Sequence, residues 1–327
     1  MSFLLNETFW IALLAASVRI ATPLLIAGLG ESVAERAGLL NVGIEGMMIL
    51  GAFFGFFGAY ASGDPLIGFI TGFAVGALAG LLFGFITVIR GADQVVTGIV
   101  FNILAAALAA FIYQRMFASS NDVPQLNSFS ILRLPYLSDL PIVGHALFAQ
   151  KPHVYFTFLL IPVFWIALYH SRWGLNVRAV GENPEAVDSA GVDVWAIRLQ
   201  AAVIGGAMAG LAGATIAIVQ VGAYVDGMIA GRGFITLAIV VFGAWRPWRV
   251  AAACLFFGAA DAFQLRLQIS GIGLPDQLLI GLPYVLTIIV VAIVAQQGGY
   301  PAAINRPYLR RRRHRIAGQT SVTTPQL

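Results

Sequence analysis

Charged and polar side chains are rare in the apolar segments of this sequence, so those present are the first candidates for chemistry. Arg19, Glu45 and Asp261 each lie within or at the start of a long apolar run. A charge at the centre of a bilayer costs about 2.5–3.5 kcal/mol on insertion scales, so these groups are expected to face protein or a wet cavity. Each one either contacts a polar solute or pairs with another helix, and both alternatives remain open.

Neutral polar side chains extend this set. Asp261 and Gln264 are three residues apart and share one helix face, which predicts a polar patch. Asn102 and Gln220 can hydrogen-bond either a solute or a neighbouring helix. The predicted pathway residues are Asn41, Glu45, Asn102, Gln220, Asp261 and Gln264.

Catalytic and cofactor motifs are missing from the sequence. The only lysine is Lys151, so no GxxxxGK[ST] loop exists and the chain is not expected to hydrolyse ATP by itself. The four histidines form no HExxH motif, no GxSxG elbow occurs, and the single cysteine, Cys254, allows no disulfide. We expect no enzyme activity, no cofactor and no metal site.

The elements that must position these side chains are membrane helices. The chain has 327 residues, of which 59% are hydrophobic, and a spanning helix needs about 20 mostly apolar residues. The prediction is an all-α polytopic membrane protein with nine spans, at residues 9–29, 45–61, 66–89, 95–113, 154–169, 199–219, 233–245, 250–267 and 277–295.

The positions of Arg and Lys predict the orientation of these spans. With the C-terminus in the cytoplasm, 13 of the 19 Lys and Arg residues fall inside and 5 outside, with Arg19 within the first span. This bias predicts an external N-terminus, an external loop at 114–153, and a cytoplasmic segment at 177–198. Residues 1–305 then form the transmembrane domain. Residues 306–327 form a basic, then disordered tail that is expected to bind the lipid surface rather than nucleic acid.

A short repeat suggests internal symmetry. The stretch GALAGL at 76–81 in the third span returns as GAMAGL at 206–211 in the sixth. The two spans cross in opposite directions under this topology, as an inverted repeat requires. The alternative is that small-residue packing patterns recur by chance in such helices.

The segment VRAVGENPEAVDSAGVDVWAIR, at 177–198, is unusually polar, with six charged residues among its 22. Asn183 is a suitable N-cap, Pro184 a natural first helical residue, and Gly191 a left-handed ending. Asp193 is a second N-cap that precedes the sixth span. The pattern predicts a short helix on the cytoplasmic surface, which either docks on a partner or is an ordinary solvated connector.

This segment resembles the cytoplasmic loop of permease subunits from the ABC importers of ribose, related sugars, nucleosides and branched-chain amino acids. In that family the loop is the coupling helix that docks on the ATPase. The resemblance carries this role over to Gly181, Glu182, Asn183, Pro184, Glu185, Ala186, Ala190 and Gly191. The stretches ERAGLLNVGIEGMMILGAF, at 35–53, and AGRGFITLAIVVFGAWRPW, at 230–248, are similar to the nucleoside or simple-sugar branch.

The resemblance implies a bacterial inner-membrane importer of nucleosides or related nucleobase compounds. It also implies three protein partners: a separate ABC ATPase, a second and different permease, and an extracytoplasmic solute-binding protein. A simple-sugar or branched-chain amino acid permease is the alternative within this class. An ion-coupled secondary transporter is the alternative from another class, favoured by Asp261 and Arg19.

Overall fold

A computed structural model describes residues 7–117, 125–126, 129–133, 144, 147–269, 278–279, 281, 285–289, 292 and 299–308. Apart from two paired two-residue strands, its regular elements are helices. In chain order they are α1 (Glu7–Arg36), α2 (Ile44–Ser62), α3 (Pro65–Gly84), α4 (Gln94–Phe117), β1 (Leu132–Arg133), β2 (Ala149–Gln150), α5 (Pro152–Tyr169), α6 (Arg172–Glu182), α7 (Pro184–Ser189), α8 (Val194–Thr215), α9 (Arg232–Phe242) and α10 (Pro247–Ile269).

Seven stretches of helix in the described ranges are long and apolar enough to cross a membrane. They agree with the first six predicted spans and the eighth, so the chain is a polytopic helical membrane protein. The seventh predicted span is shorter than expected: α9 has 11 residues and is about 16 Å long, because the chain turns at Ala244 and Trp245. Most of the ninth, 277–295, lies outside the described residues.

The first helix is longer than predicted. The prediction ended it at Leu29, whereas α1 continues through Glu31 and Glu35 to Arg36. Both carboxylates, of Glu31 and Glu35, are buried, with exposures of 0% and 1%. Glu31 accepts a hydrogen bond from Asn41, just beyond the helix, and Glu35 accepts one from the distant Trp245. Length and hydropathy alone therefore did not predict this end of the helix.

Helices α2, α3 and α8 form the tightly packed centre of the molecule, and glycines allow their close approach. A Cβ on Gly206 of α8 would lie 2.6 Å from Gly80 Cα of α3, and a Cβ on Gly76 would lie 2.7 Å from Gly210 Cα. Gly206 lies against Gly80, and the later Gly210 lies against the earlier Gly76, so the two helices run antiparallel. The repeated GALAGL and GAMAGL stretches are the surfaces that pack against each other.

Both of these helices end in a π-helix. The stretch Phe85–Ile89 continues α3, and Ile216–Val221 continues α8. Short π-helical segments are rare in proteins overall, but those that occur are often found at functional sites. The second one contributes Val219 and Gln220 to a polar cavity.

Only parts of the predicted external loop, 114–153, are described. They include the end of α4, the antiparallel pair β1–β2, and the first residues of α5. Of the predicted tail, 306–327, the residues from 309 onwards lie outside the described part. Residues 301–308 precede them and are bonded to the body of the protein.

Candidate functional site

A cavity of about 450 Å³ lies where α1, α5, α9, α10 and the second π-helix meet; we name it the cationic cavity. It contains two of the six predicted pathway residues, Gln220 and Asp261. Its lining residues are Arg19, Ile20, Ile131, Ala149, Gln150, Lys151, His153, Val219, Gln220, Arg232, Asp261 and Leu265.

The polar side chains of this cavity form ion pairs and hydrogen bonds with neighbouring residues of its lining. Arg232 Nη2 lies 3.9 Å from Asp261 Oδ2, and both side chains are about three-quarters buried, with exposures of 27% and 24%. Gln220 Nε2 donates to the backbone oxygen of Arg19 over 2.9 Å, and Lys151 Nζ donates to the oxygen of Val219 over 3.2 Å. Burial, and then the nearby charge of Arg19, lower the pKa of Lys151.

Glu45, another predicted pathway residue, is bonded to the start of α9. Its two carboxylate oxygens accept hydrogen bonds from Gly231 N at 2.8 Å and Gly233 N at 2.7 Å. Gly231 has φ +78°, in the left-handed region, and a Cβ on Gly233 would lie 2.7 Å from Glu45 Cα. Glu45 therefore caps α9 with its negative charge and fixes the backbone on both sides of Arg232.

The remaining predicted pathway residues are buried, as Asn41 and Gln264 are, or half-buried, as Asn102 is. Asn102 accepts from Gly46 N over 2.8 Å and donates to Val42 O over 2.9 Å, which joins α4 to the start of α2. Asn41 donates to Glu31 over 3.3 Å. Gln264 is 5% exposed and is not among the residues that line the cationic cavity. The structure thus places Gln220 and Asp261 in the lining of the cationic cavity and the other four outside that lining.

Sequence reasoning missed a polar cluster at the opposite end of α1. Glu35 accepts a hydrogen bond from the indole N–H of Trp245, and Arg36 lies over the Trp245 ring at 5.5 Å. Arg36 Nη2 also donates to Ala244 O over 3.2 Å, and Nη1 lies 4.0 Å from Glu182 Oε1. The available signal was the spacing of Glu31 and Glu35, four residues apart on one helix face.

The predicted coupling segment forms α6, α7 and the start of α8. Asn183 accepts from Ala186 N at 3.0 Å, Pro184 opens α7, and Gly191 has φ +85°. Asp193 caps α8 by accepting from Trp195 N and Ala196 N. These local predictions are confirmed.

The exposed and buried faces of this segment differ in chemistry. The exposed residues among the predicted coupling set include Glu182, Glu185 and Ala190, whereas Val180 and Val187 are buried. The apolar side holds the short helix on the body of the protein. The opposite side leaves Glu185, Ser189 and Ala190 exposed.

A three-way joint holds the coupling segment, the end of α1 and residues 303–306 together. Arg198, 1% exposed, donates to Ala37 O at 3.1 Å, Arg306 O at 2.8 Å and Ala303 O at 3.4 Å. Ala303 N donates to Gly181 O over 2.8 Å. A Cβ on Gly181 would lie 2.9 Å from the carbonyl carbon of Arg36. A displacement of the coupling segment would therefore act directly on α1.

Three curated relatives cover most of the chain. An inferred glucose ABC transporter permease protein, TsgC13 of Haloferax volcanii, is 39% identical over 80% of this chain and 79% of its own length. The nucleoside ABC transporter permease protein NupC of Lactococcus lactis is 33% identical over 89% of this chain and 94% of its own. The guanosine ABC transporter permease protein NupQ of Bacillus subtilis is 31% identical, with 91% and 96% covered.

A second permease of each of these organisms also matches, over 58–61% of this chain. These are NupP of Bacillus subtilis at 27% identity, NupB of Lactococcus lactis at 24% and TsgB13 of Haloferax volcanii at 27%. No solved structure matches the chain. A family profile described as branched-chain amino acid transport system / permease component matches residues 13–295. This match spans every helix described above except the first residues of α1, so the chain belongs to that permease family.

Proposed function

We propose that this chain is one of two different transmembrane subunits of an ABC importer that carries nucleosides or related nucleobase compounds. The observation that carries the proposal is the capped polar helix α7 between two membrane helices, in a chain that belongs to a permease family. A separate ATPase supplies the energy, because this chain has no phosphate-binding loop.

The proposed orientation has the N-terminus outside and the C-terminus inside, with nine spans. The three-way joint supports it, since it gathers Arg36, Arg198 and Arg306 at the same end as the coupling segment. This end would face the cytoplasm. The cationic cavity would then open on the outer side of the bacterial inner membrane, where a solute-binding protein would deliver the solute.

The proposed fold contains an inverted repeat centred on α3 and α8. Three observations support it: the repeated six-residue stretch, the antiparallel glycine contacts, and the π-helix that follows each of the two helices. Transporters with such repeats place their solute route at the repeat interface.

The proposed ATPase-docking residues are Gly181, Glu182, Asn183, Pro184, Glu185, Ala186, Ala190 and Gly191. Glu185 lies in the first turn of α7, and its side chain is exposed and forms no hydrogen bond or ion pair with the other described residues. A Glu185→Lys variant of the assembled complex is expected to abolish uptake and weaken ATPase co-purification while the permease remains folded. The matched control is Asp226→Lys, at an exposed turn before α9, which should retain the ATPase. Unchanged uptake in Glu185→Lys would refute the docking role.

The second permease of the proposed complex is a different chain. This is supported by the three organisms above, in each of which two permeases match this one. Purification from the native membrane in mild detergent, with the co-purifying chains identified by mass spectrometry, tests it. Recovery of an ATPase and one other permease is expected. Recovery of the folded chain alone would favour the ion-coupled transporter.

A simple sugar is the second candidate solute, because the relative that is 39% identical is a glucose permease by name. Uptake of labelled guanosine, uridine, glucose and leucine into cells that express the complete complex separates the candidates. Uptake of guanosine and uridine alone would support the nucleoside proposal, and uptake of glucose or leucine alone would overturn it.

The proposed solute route includes Gln220 and Asp261, which line the cationic cavity. Asn41, Glu45, Asn102 and Gln264 are proposed as residues of the same route in another conformation of the complex. Their present bonds to Glu31, Gly231, Gly233 and Val42 would have to open for this.

A further inference from the structure

Residues 301–308, which we name the strap, are bonded to the coupling segment on both sides of α7. On the N-terminal side of α7, Ala303 N donates to Gly181 O over 2.8 Å. On its C-terminal side, the indole N–H of Trp195 donates to Tyr308 O over 3.3 Å. The strap and the coupling segment are therefore neighbouring parts of one surface.

The strap is held in place through its main chain. Arg198, 1% exposed, donates to the backbone oxygens of Ala303 and Arg306, and Asn305 N donates to Gly38 O over 3.2 Å. Asn305 has φ +56°, in the left-handed region, which asparagine enters more readily than most other residues. These bonds fix the backbone of the strap and use none of its side chains.

The side chains at the centre of the strap point away from the body of the protein. Asn305, Arg306 and Pro307 are exposed, and the side chains of Asn305 and Arg306 form no hydrogen bond or ion pair with the other described residues. Binding a partner to such a segment requires the ordering of side chains alone, because the backbone is already fixed. The strap is therefore prepared for a contact.

The charges of this surface favour a protein partner over a lipid surface. The coupling segment exposes two carboxylates, Glu182 and Glu185, and the strap exposes the guanidinium of Arg306. Charges of both signs on one surface match a partner of complementary pattern and fix its orientation. An anionic leaflet attracts clusters of basic side chains, and it would repel the two carboxylates.

We infer that the strap is a second part of the surface on which the ATPase docks, with Asn305 and Arg306 in contact with that subunit beside α7. This role rests on the proposed function, since it requires an ATPase seated on the coupling segment. Two attachments fix the angle of the ATPase more firmly than one short helix does. Because the strap is bonded to Gly38 and Arg198, a movement of the ATPase would act on the ends of α1 and α8 through both attachments.

The first experiment is photo-cross-linking within the complete complex in its native membrane. The photoreactive residue p-benzoylphenylalanine replaces Asn305, Glu185 or Arg90, one position at a time, and the cross-linked chains are identified by mass spectrometry. Glu185 reports the proposed docking of α7. Arg90 is exposed between α3 and α4, on the cytoplasmic side in the proposed topology, and reports chance proximity.

Asn305 and Glu185 are both expected to cross-link to the ATPase, at about ten times the yield of Arg90. Cross-linking from Glu185 alone would overturn the role of the strap and leave the docking of α7 intact. Cross-linking from Asn305 alone would support the strap and refute the docking of α7. A yield from Asn305 no higher than that from Arg90, or cross-linking of Asn305 to lipid in place of the ATPase, would also overturn the role of the strap.

The second experiment measures ATPase retention in variants of Arg306. Its bond to Arg198 uses the backbone oxygen, so changes of the side chain leave that bond in place. Arg306→Glu is expected to lower the affinity for the ATPase about tenfold, whereas Arg306→Lys keeps the charge and most of the affinity. Equal retention in Arg306→Glu and the wild type would overturn the assignment of Arg306.

Discussion

At the scale of single residues, Arg198 is the clearest case of a charge held by backbone alone. Its guanidinium is 1% exposed and donates to three carbonyl oxygens, one of them just beyond the C-terminus of α1. Carbonyls at a helix C-terminus carry partial negative charge, which favours a cation there. The guanidinium spreads its donors over three nitrogens and so reaches three acceptors that lie apart, whereas an ammonium group presents all its donors from one nitrogen.

We predict that Arg198→Lys destabilises the protein by about 2–3 kcal/mol, because at least one buried carbonyl loses its charged donor. The measurement is the fraction of monodisperse protein that remains after heating, followed by fluorescence size-exclusion chromatography. The control is Arg246→Lys, at an exposed position. Identical heating curves for the two variants would contradict the structural role of Arg198.

Glu45 gives a graded prediction. Glu45→Ala leaves the amides of Gly231 and Gly233 without their acceptor, at a cost of about 2–4 kcal/mol. Glu45→Gln keeps one acceptor oxygen, leaves the second amide without an acceptor and loses the charge at the start of α9, at a cost of about 1–2 kcal/mol. Thermal stability should therefore fall from wild type to Gln to Ala. Glu182→Ala, at an exposed carboxylate, is the control, and equal stability of the Ala and Gln variants would argue against the cap.

The side chains that could be predicted are those whose partners are local. Asn183 and Asp193 cap helices through amides two or three residues away, so sequence alone indicated both roles. Arg198 and Glu35 depend on partners more than 100 residues away in sequence, at Ala37 and Trp245. No periodicity in one sequence indicates such pairings.

At the scale of elements, the contact between α3 and α8 depends on the absence of side chains. A Cβ on Gly206 would meet Gly80 Cα at 2.6 Å and Gly80 N at 2.7 Å, which are rigid backbone atoms. We predict that Gly206→Ala separates the two helices and costs about 1–3 kcal/mol, the usual penalty of overpacking. The yield of folded protein in mild detergent measures this.

The matched control for this substitution is Gly281→Ala, because a Cβ there meets nothing within 4 Å among the described residues. Its yield should equal that of the wild type. Equal yields of Gly206→Ala and the wild type would mean that the helices can separate without loss. The antiparallel glycine contact would then be incidental to the fold.

The sequence predicted the presence of the membrane helices better than the residues at which they end. Hydropathy indicated the helices of the first eight predicted spans. However, α1 extends seven residues beyond its predicted end, and α9 stops three residues before its predicted end. In both places the cause is tertiary. Asn41 bonds the buried Glu31, and Trp245 bonds Glu35 while its own backbone adopts φ +56°.

At the scale of the whole molecule, the polar features lie in two places. The three-way joint collects the coupling segment, the end of α1 and residues 303–306. The cationic cavity collects residues at the starts of α5 and α9 and in the π-helix that follows α8. Helix α1 contributes Arg19 to the cavity and Arg36 to the joint, so it connects the proposed ATPase contact to the cavity.

The proposed orientation makes a prediction about access from the two sides of the membrane. Cys254 is buried and is the only cysteine, so Cys254→Ala provides a background without thiols. In this background, Ala61→Cys lies at the exposed end of α2 and Ser189→Cys at the exposed end of α7. In the proposed topology, the end of α2 lies on the outer side, as the cationic cavity does, and the end of α7 lies on the cytoplasmic side.

In intact spheroplasts, a membrane-impermeant maleimide should label Ala61→Cys and leave Ser189→Cys unlabelled until the membrane is opened with detergent. Labelling of both in detergent controls for reactivity. The reverse pattern would place the coupling segment outside the cell, where no ATP-driven subunit could reach it. The docking proposal would then fail together with the assigned orientation.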